Sequence, residues 1–209
     1  MKKDDDDDDS GVSRRRFLFG TGVVAAATTL DCRAPELGPT QGAQVLGPGK
    51  IACTLHVNGA EKRLEIEPRT TLAEALRIEL GMTGTKVACD RGACSACTVW
   101  LDGTPVNSCT TFALDAVGRR VTTIEGLARG DALHPVQQAF IDHDAMQCGF
   151  CTPGMLMSCA ALLKRAPDPS LDDVRTATSG NLCRCGTYPK VFDATLAAAK
   201  TIRGGGKGA

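Results

Sequence analysis

Eight of the eleven cysteines fall into two sets of fixed spacing, and this constrains the chain more than anything else in it. The first set is Cys89, Cys94, Cys97 and Cys109, spaced C-x4-C-x2-C-x11-C. The second is a C-x2-C pair, Cys148 and Cys151, with a remote C-x-C pair, Cys183 and Cys185. Eleven cysteines in 209 residues exceeds ordinary usage but falls short of a small disulfide scaffold, so spacing must decide their role. Gly92, Ala93, Ser95 and Ala96 within the first loop are small enough for backbone N–H groups to approach whatever the thiolates hold.

A C-x4-C-x2-C triplet with a distant fourth cysteine is the plant-type spacing for a [2Fe–2S] cluster. Zinc and disulfides are the competing readings, but four-cysteine zinc sites usually draw on two short pairs rather than a triplet and a single. The second set taken alone leaves zinc open. The upstream motif, and the use of eight cysteines in two fours, favour a second [2Fe–2S] cluster there. Cys53 lies on the inward phase of a strand and Cys159 on an apolar helix face, so both are expected in the core. Cys32 has no assignment.

Around these motifs the hydrophobic period changes once. Ile51, Cys53, Leu55 and Val57 alternate as in a strand, Asn58-Gly59 supplies hairpin-turn chemistry, and Leu64 and Ile66 continue the alternation. Thr70 or Thr71 can cap a helix carrying Leu72, Ala75, Leu76 and Leu80, which Gly81 stops. Thr98–Leu101 and Val106–Cys109 flank Asp102-Gly103 as a second hairpin, and Val121–Ile124 forms a last short strand. Beyond a connector at 125–134 the period is helical. Pro135 begins one helix, and a second carries Met155, Leu156, Cys159, Leu162 and Leu163 behind Pro153 in its first turn. A third spans about Leu171 to Thr178, and Pro189 opens a fourth. The N-terminus of the second helix would aim free N–H groups at anything bound by Cys148 and Cys151.

The first fifty residues read as an address. Asp4–Asp9 is a solvated acidic run without an assigned role. Ser13-Arg14-Arg15-Arg16-Phe17-Leu18, followed by an uncharged stretch to Leu30, resembles a twin-arginine export signal, and it is too short for a stable membrane span. Ala25, Ala26 and Ala27 are candidate cleavage positions. A lipid anchor at Cys32 is disfavoured by Asp31 before it. The domains are therefore a signal region at 1–32, a Pro- and Gly-bearing linker at 33–50, a first cysteine domain at 51–125 and a second at 135–202.

Gly84-Thr85-Lys86 through Cys109, Gln147 to Gly154 and Gly180 to Gly186 together resemble the iron–sulfur subunits of the xanthine dehydrogenase and aldehyde oxidoreductase family, the molybdenum hydroxylases, over about residues 51–202. The resemblance implies an α+β chain, with an N-terminal β-grasp plant-type ferredoxin domain followed by an all-α four-helix [2Fe–2S] domain. It implies two [2Fe–2S] clusters, one held by Cys89, Cys94, Cys97 and Cys109, the other by Cys148, Cys151, Cys183 and Cys185. Gln147 would hydrogen-bond the pterin of a molybdopterin cofactor on a large partner subunit. Electrons would pass from molybdenum to the helical-domain cluster, then to the ferredoxin-domain cluster, then to an acceptor such as FAD on another subunit or a cytochrome. Ala88 and Ser95 stand where such sequences often have glycine.

Composition and motif absences agree. With 24 basic and 24 acidic residues, no net field favours nucleic acid. No nucleotide loop, catalytic triad or HExxH pattern occurs, and His56, His134 and His143 are scattered. Two cluster domains leave no length for a substrate site, so the expected role is an electron relay, exported to the periplasm by the twin-arginine route. A free-standing ferredoxin-like shuttle and a zinc-stabilised interaction module are the alternatives. Exposed apolar surface on the helical domain would favour the relay subunit.

Overall fold

The computed structural model describes residues 46–205; the leader, the aspartate run and Cys32 lie outside them. A five-stranded sheet comes first: β1 (Ile51–Val57), β2 (Ala60–Ile66), β3 (Thr98–Leu101), β4 (Thr104–Asn107) and β5 (Arg120–Thr122), in the order β2-β1-β5-β3-β4. β1 and β5 run parallel, and the remaining pairs are antiparallel. Both predicted hairpins form. Asn58 and Gly59 take φ of 52° and 82°, and Asp102 and Gly103 take 53° and 86°, the left-handed pairs a two-residue turn needs to match strand twist.

Those turns correct two strand limits. A two-residue turn at Asp102-Gly103 pairs Leu101 with Thr104, so β4 occupies Thr104–Asn107 instead of Val106–Cys109. Cys109 sits in the 3-10 turn Ser108–Thr110 instead, where the Ser108 hydroxyl donates to the Cys97 carbonyl at 2.7 Å. β5 ends at Thr122 rather than Ile124 because the Asn58 side chain accepts from the Thr123 N–H and donates to its hydroxyl, both at 2.9 Å. The ladder partner is thereby replaced by a turn side chain.

Thr71 caps α1 (Leu72–Glu74) through a reciprocal capping box with Glu74, and the helix continues as a π turn over Ala75–Glu79. Leu72, Ala75 and Leu76 seal the sheet face formed by Leu55, Val57, Leu64, Ile66, Val99, Leu101 and Val121. Cys53, on the expected phase, is half-buried against this core.

The second half contains α2 (Pro135–Asp142), α3 (Thr152–Arg165), α4 (Leu171–Thr178) and α5 (Tyr188–Gly205). Cys159 is fully buried among them. β3 joins the two halves. All four of its residues are buried: Val99 and Leu101 face α1, while Trp100 belongs to the helical core and donates its indole N–H to the Met157 carbonyl at 2.9 Å. Among the described residues no helix is long and apolar enough to cross a membrane.

His134 caps α2: its Nδ1 accepts from the Val136 N–H at 3.2 Å, and Gln137 reaches back to the His134 N–H. Burial, aided by the Arg129 charge, holds the imidazole below its ordinary pKa. The cap requires the neutral ring, so its stabilisation is present above the unfolded-state value and is lost as pH falls through the folded value. Thermal unfolding of His134→Asn, which caps without titrating, is expected to lose part of the wild-type decline in stability below about pH 6.5. Parallel acid profiles for the two proteins would contradict this role.

Candidate metal centres

The first cysteine loop is shaped by left-handed backbone. Asp90, Gly92 and Ser95 have φ of 53°, 72° and 52°, and this turns successive N–H groups inward. The Gly92 N–H donates to Cys109 Sγ and the Ala93 N–H to Cys89 Sγ, each at 3.3 Å. The predicted need for small residues is thus met at 92 and 93 by backbone donors on sulfur. Ser95 explains the family's glycine at that position: a side chain is held there in a conformation that glycine adopts freely.

Within each set the thiols lie near enough to perturb one another, most strongly in two pairs. Cys89 meets Cys94, and Cys109 meets Cys97. In the helical half Cys151 meets Cys183, and Cys185 meets Cys148. Each pair in that half takes one cysteine from each short motif. Cys151 is the cap residue of α3 and Cys148 lies just before it, so the helix N-terminus adjoins this set. Among the described residues, no three acidic, histidine or cysteine side chains converge as ligands for a single ion. Two thiols facing two thiols is the donor arrangement of a cluster with two irons and four cysteines.

The thiols of the bare chain are not equivalent. The Arg91 N–H and then the Cys94 side chain hold the Cys89 thiol down at about 7. Burial pushes Cys109 up to about 11 despite the Gly92 N–H, and pushes Cys151 up to about 12, helped by Cys183 and Cys148. Burial also acts upward on Cys183, but the Thr187 hydroxyl and N–H, with Cys151 and the Cys185 N–H, outweigh it and bring that thiol to about 7. In the Cys151–Cys183 pair one thiol readily ionises while its neighbour retains its proton, so binding a cation there displaces protons.

The two sets meet at a seam. The Leu182 N–H donates to the Cys94 carbonyl at 3.0 Å, which connects a residue of the first set to the neighbour of Cys183 through one hydrogen bond. The Asn181 amide donates to the Ser95 carbonyl at 3.2 Å, and a Cβ on Gly154 would lie 2.1 Å from that same oxygen. A 450 Å³ cavity is lined by Cys94 from one set and Cys148, Cys151 and Cys183 from the other. Phe150 and Leu182 in its lining are 48% and 57% exposed, and Met146, two residues before Cys148, is 37% exposed, the exposed apolar surface expected on the helical domain of a relay subunit. Gln147 is exposed on the same loop.

The family described as 2Fe–2S iron–sulfur cluster binding domain matches residues 55–122, and the [2Fe–2S] binding domain family matches residues 123–196. The aldehyde oxidoreductase iron–sulfur-binding subunit PaoA of Escherichia coli is 40% identical, over 90% of this chain and 89% of its own. The nicotine 6-hydroxylase small subunit of Paenarthrobacter nicotinovorans is 44% identical, over 70% of this chain and 88% of its own. The solved quinoline 2-oxidoreductase of Pseudomonas putida 86 superposes with a TM-score of 0.71 at 44% identity, covering 75% of this chain and 98% of that one. The chain belongs to the family of molybdenum hydroxylase iron–sulfur subunits. The α+β architecture with a ferredoxin-like domain before a helical one follows for this subunit, and so does an electron-transfer role within an oxidoreductase complex. Aldehyde oxidoreductase of Desulfovibrio gigas matches at a TM-score of 0.70 and 43% identity, and this subunit spans 17% of that longer chain.

What the sequence left unread at this site is the pairing of cysteines across motifs, the tie from Leu182 to Cys94, and Thr187. A Thr two residues beyond the C-x-C pair carries no spacing rule that would have singled it out.

Proposed function

We propose that Cys89, Cys94, Cys97 and Cys109 hold one [2Fe–2S] cluster and Cys148, Cys151, Cys183 and Cys185 a second, and that electrons enter at the helical domain and leave from the ferredoxin-like domain. The observation that carries this reading is the seam itself, where the two cysteine sets share one cavity and two hydrogen bonds link their loops. A bound cluster supplies one-electron redox chemistry. The chain's residues do the rest. Backbone N–H groups of Gly92 and Ala93 compensate sulfur charge, and burial of Cys97 and Cys109 keeps water from one half of the ferredoxin-domain set.

The exposed thiols of Cys148 and Cys185, with exposed Phe150 and Leu182 beside Cys148, are the face for a large molybdopterin-binding subunit, with the exposed Gln147 available to its pterin. An FAD-binding subunit or a cytochrome takes the electrons from the other end. The leader exports the chain to the periplasm by the twin-arginine route, which carries proteins folded and loaded with cofactor. The match to the Escherichia coli subunit covers 90% of the chain, more than residues 46–205 can supply, so it extends into that leader.

Native purification from fractionated cells tests the whole reading. The chain is expected in the periplasmic fraction, beside a molybdenum-containing large chain, with four iron ions per copy, two for each cluster. Zinc in place of iron, or a stable solitary chain, would overturn it.

A further inference from the structure

Hydrogen bonds to cluster sulfurs raise a cluster's reduction potential, because they offset the negative charge that the reduced state adds. Backbone N–H groups reach sulfurs in both cysteine sets, and one set receives a side-chain hydroxyl in addition. On the ferredoxin-like side the sulfurs of Cys89 and Cys109 receive backbone N–H groups, from Ala93 and Gly92. On the helical side the Cys183 sulfur lies 3.3 Å from the Thr187 hydroxyl, which among the described residues is the one side-chain hydroxyl on any of the eight sulfurs. Between two neutral groups either atom could donate. A metal-bound Cys183 is a thiolate with no proton, so Thr187 must then be the donor.

The hydroxyl is also held in place. The Thr187 carbonyl accepts from the Val191 N–H at 3.0 Å in the first turn of α5. The neighbouring Tyr188 hydroxyl accepts from the Cys183 N–H at 2.8 Å and donates to the Asn181 carbonyl at 3.0 Å. The loop from Asn181 to Tyr188 is therefore closed on itself, and β-branching restricts the Thr187 rotamer further.

We propose that the Thr187 hydroxyl tunes the potential of the helical-domain cluster upward and selectively, a role that rests on the cluster assignment above. The one-electron reduction forms and breaks no bond, and the hydroxyl proton stays on Thr187 in both states. Removing the hydroxyl without changing side-chain shape should make that cluster harder to reduce and leave the other unchanged.

The test is a dithionite titration of the intact complex followed by electron paramagnetic resonance, on wild type, Thr187→Val and Thr187→Ser. Signals are assigned with Cys148→Ser. In Thr187→Val the helical-domain signal is expected to appear at a lower potential with the ferredoxin-domain signal unmoved, while Thr187→Ser stays with wild type. An unmoved signal in Thr187→Val sinks the proposal, as does an equal shift of both signals or a shift in Thr187→Ser as large as in Thr187→Val. Iron lost in Thr187→Val and kept in Thr187→Ser would show a hydroxyl used for assembly, again against it. Fewer than four irons in wild type would instead defeat the cluster assignment and this role together.

Discussion

Cys148→Ser is expected to halve the iron content, from four ions per chain to two, and to remove one of two electron paramagnetic resonance signals. Cys148 is exposed, so shortening its reach and replacing sulfur by oxygen opens no cavity in the core. Its partner in the set, Cys185, is exposed as well and is left facing a hydroxyl that does not ionise at neutral pH. The helical domain has its own core of Val136, Phe140, Met155, Met157, Val191 and Ala198, none of which touches this substitution, and should remain folded. In the assembled complex the surviving ferredoxin-domain signal should still respond to dithionite but no longer to substrate. Loss of both signals together would mean that the chain had misfolded, and retention of both would mean that Cys148 is no ligand.

Gly154→Ala should be the most damaging small substitution at the seam. Within a helix, alanine in place of glycine ordinarily stabilises by about 1 kcal/mol. Here the added Cβ would lie 2.1 Å from the Ser95 carbonyl oxygen and 3.1 Å from Ala96 Cα, both backbone atoms of the cysteine loop. That loop cannot swing aside, because the Asn181 amide holds the same carbonyl and the Leu182 N–H holds the one before it. Relief requires moving α3 off the loop, an overpacking cost of about 2–3 kcal/mol that exceeds the helical gain. The net of about 1–2 kcal/mol corresponds, for a chain of this size, to a fall of roughly 2–8 °C in Tm. Gly180→Ala is the control: its Cβ would meet only the Ser95 hydroxyl, at 3.3 Å, and a side-chain rotation relieves that. Weaker magnetic interaction between the two reduced clusters should accompany the loss of stability in Gly154→Ala. Equal melting of both variants and wild type would show that the seam is looser than described.

Much of the local structure was legible because its causes are local. Asn58-Gly59 and Asp102-Gly103 turn where they were expected to, since only residues tolerant of positive φ allow a two-residue turn. Ser170 with Asp173 starts α4 at Leu171, and Pro153 sits at the start of α3, through groups a few residues apart. The ends of β4 and β5 were misplaced because other parts of the chain decide them. The register of the second hairpin consumed Thr104, and Asn58, 65 residues away in sequence, took the N–H of Thr123. His134 read as an isolated histidine since its cap depends on a ring nitrogen that the chain's own fold keeps neutral.

Spacing and period alone established that two groups of four thiols exist, that they suit iron–sulfur clusters, and which half is sheet and which helix, because neighbouring residues carry those signals. How the thiols pair, how near the two groups lie, and which hydroxyl reaches a sulfur emerged only on folding. Those depend on β3 burying both faces, on Trp100 reaching into the helical core, and on a glycine at 154 that lets one backbone rest against another. Such contacts join residues dozens of positions apart, so close packing in three dimensions sets them rather than any pattern along the chain.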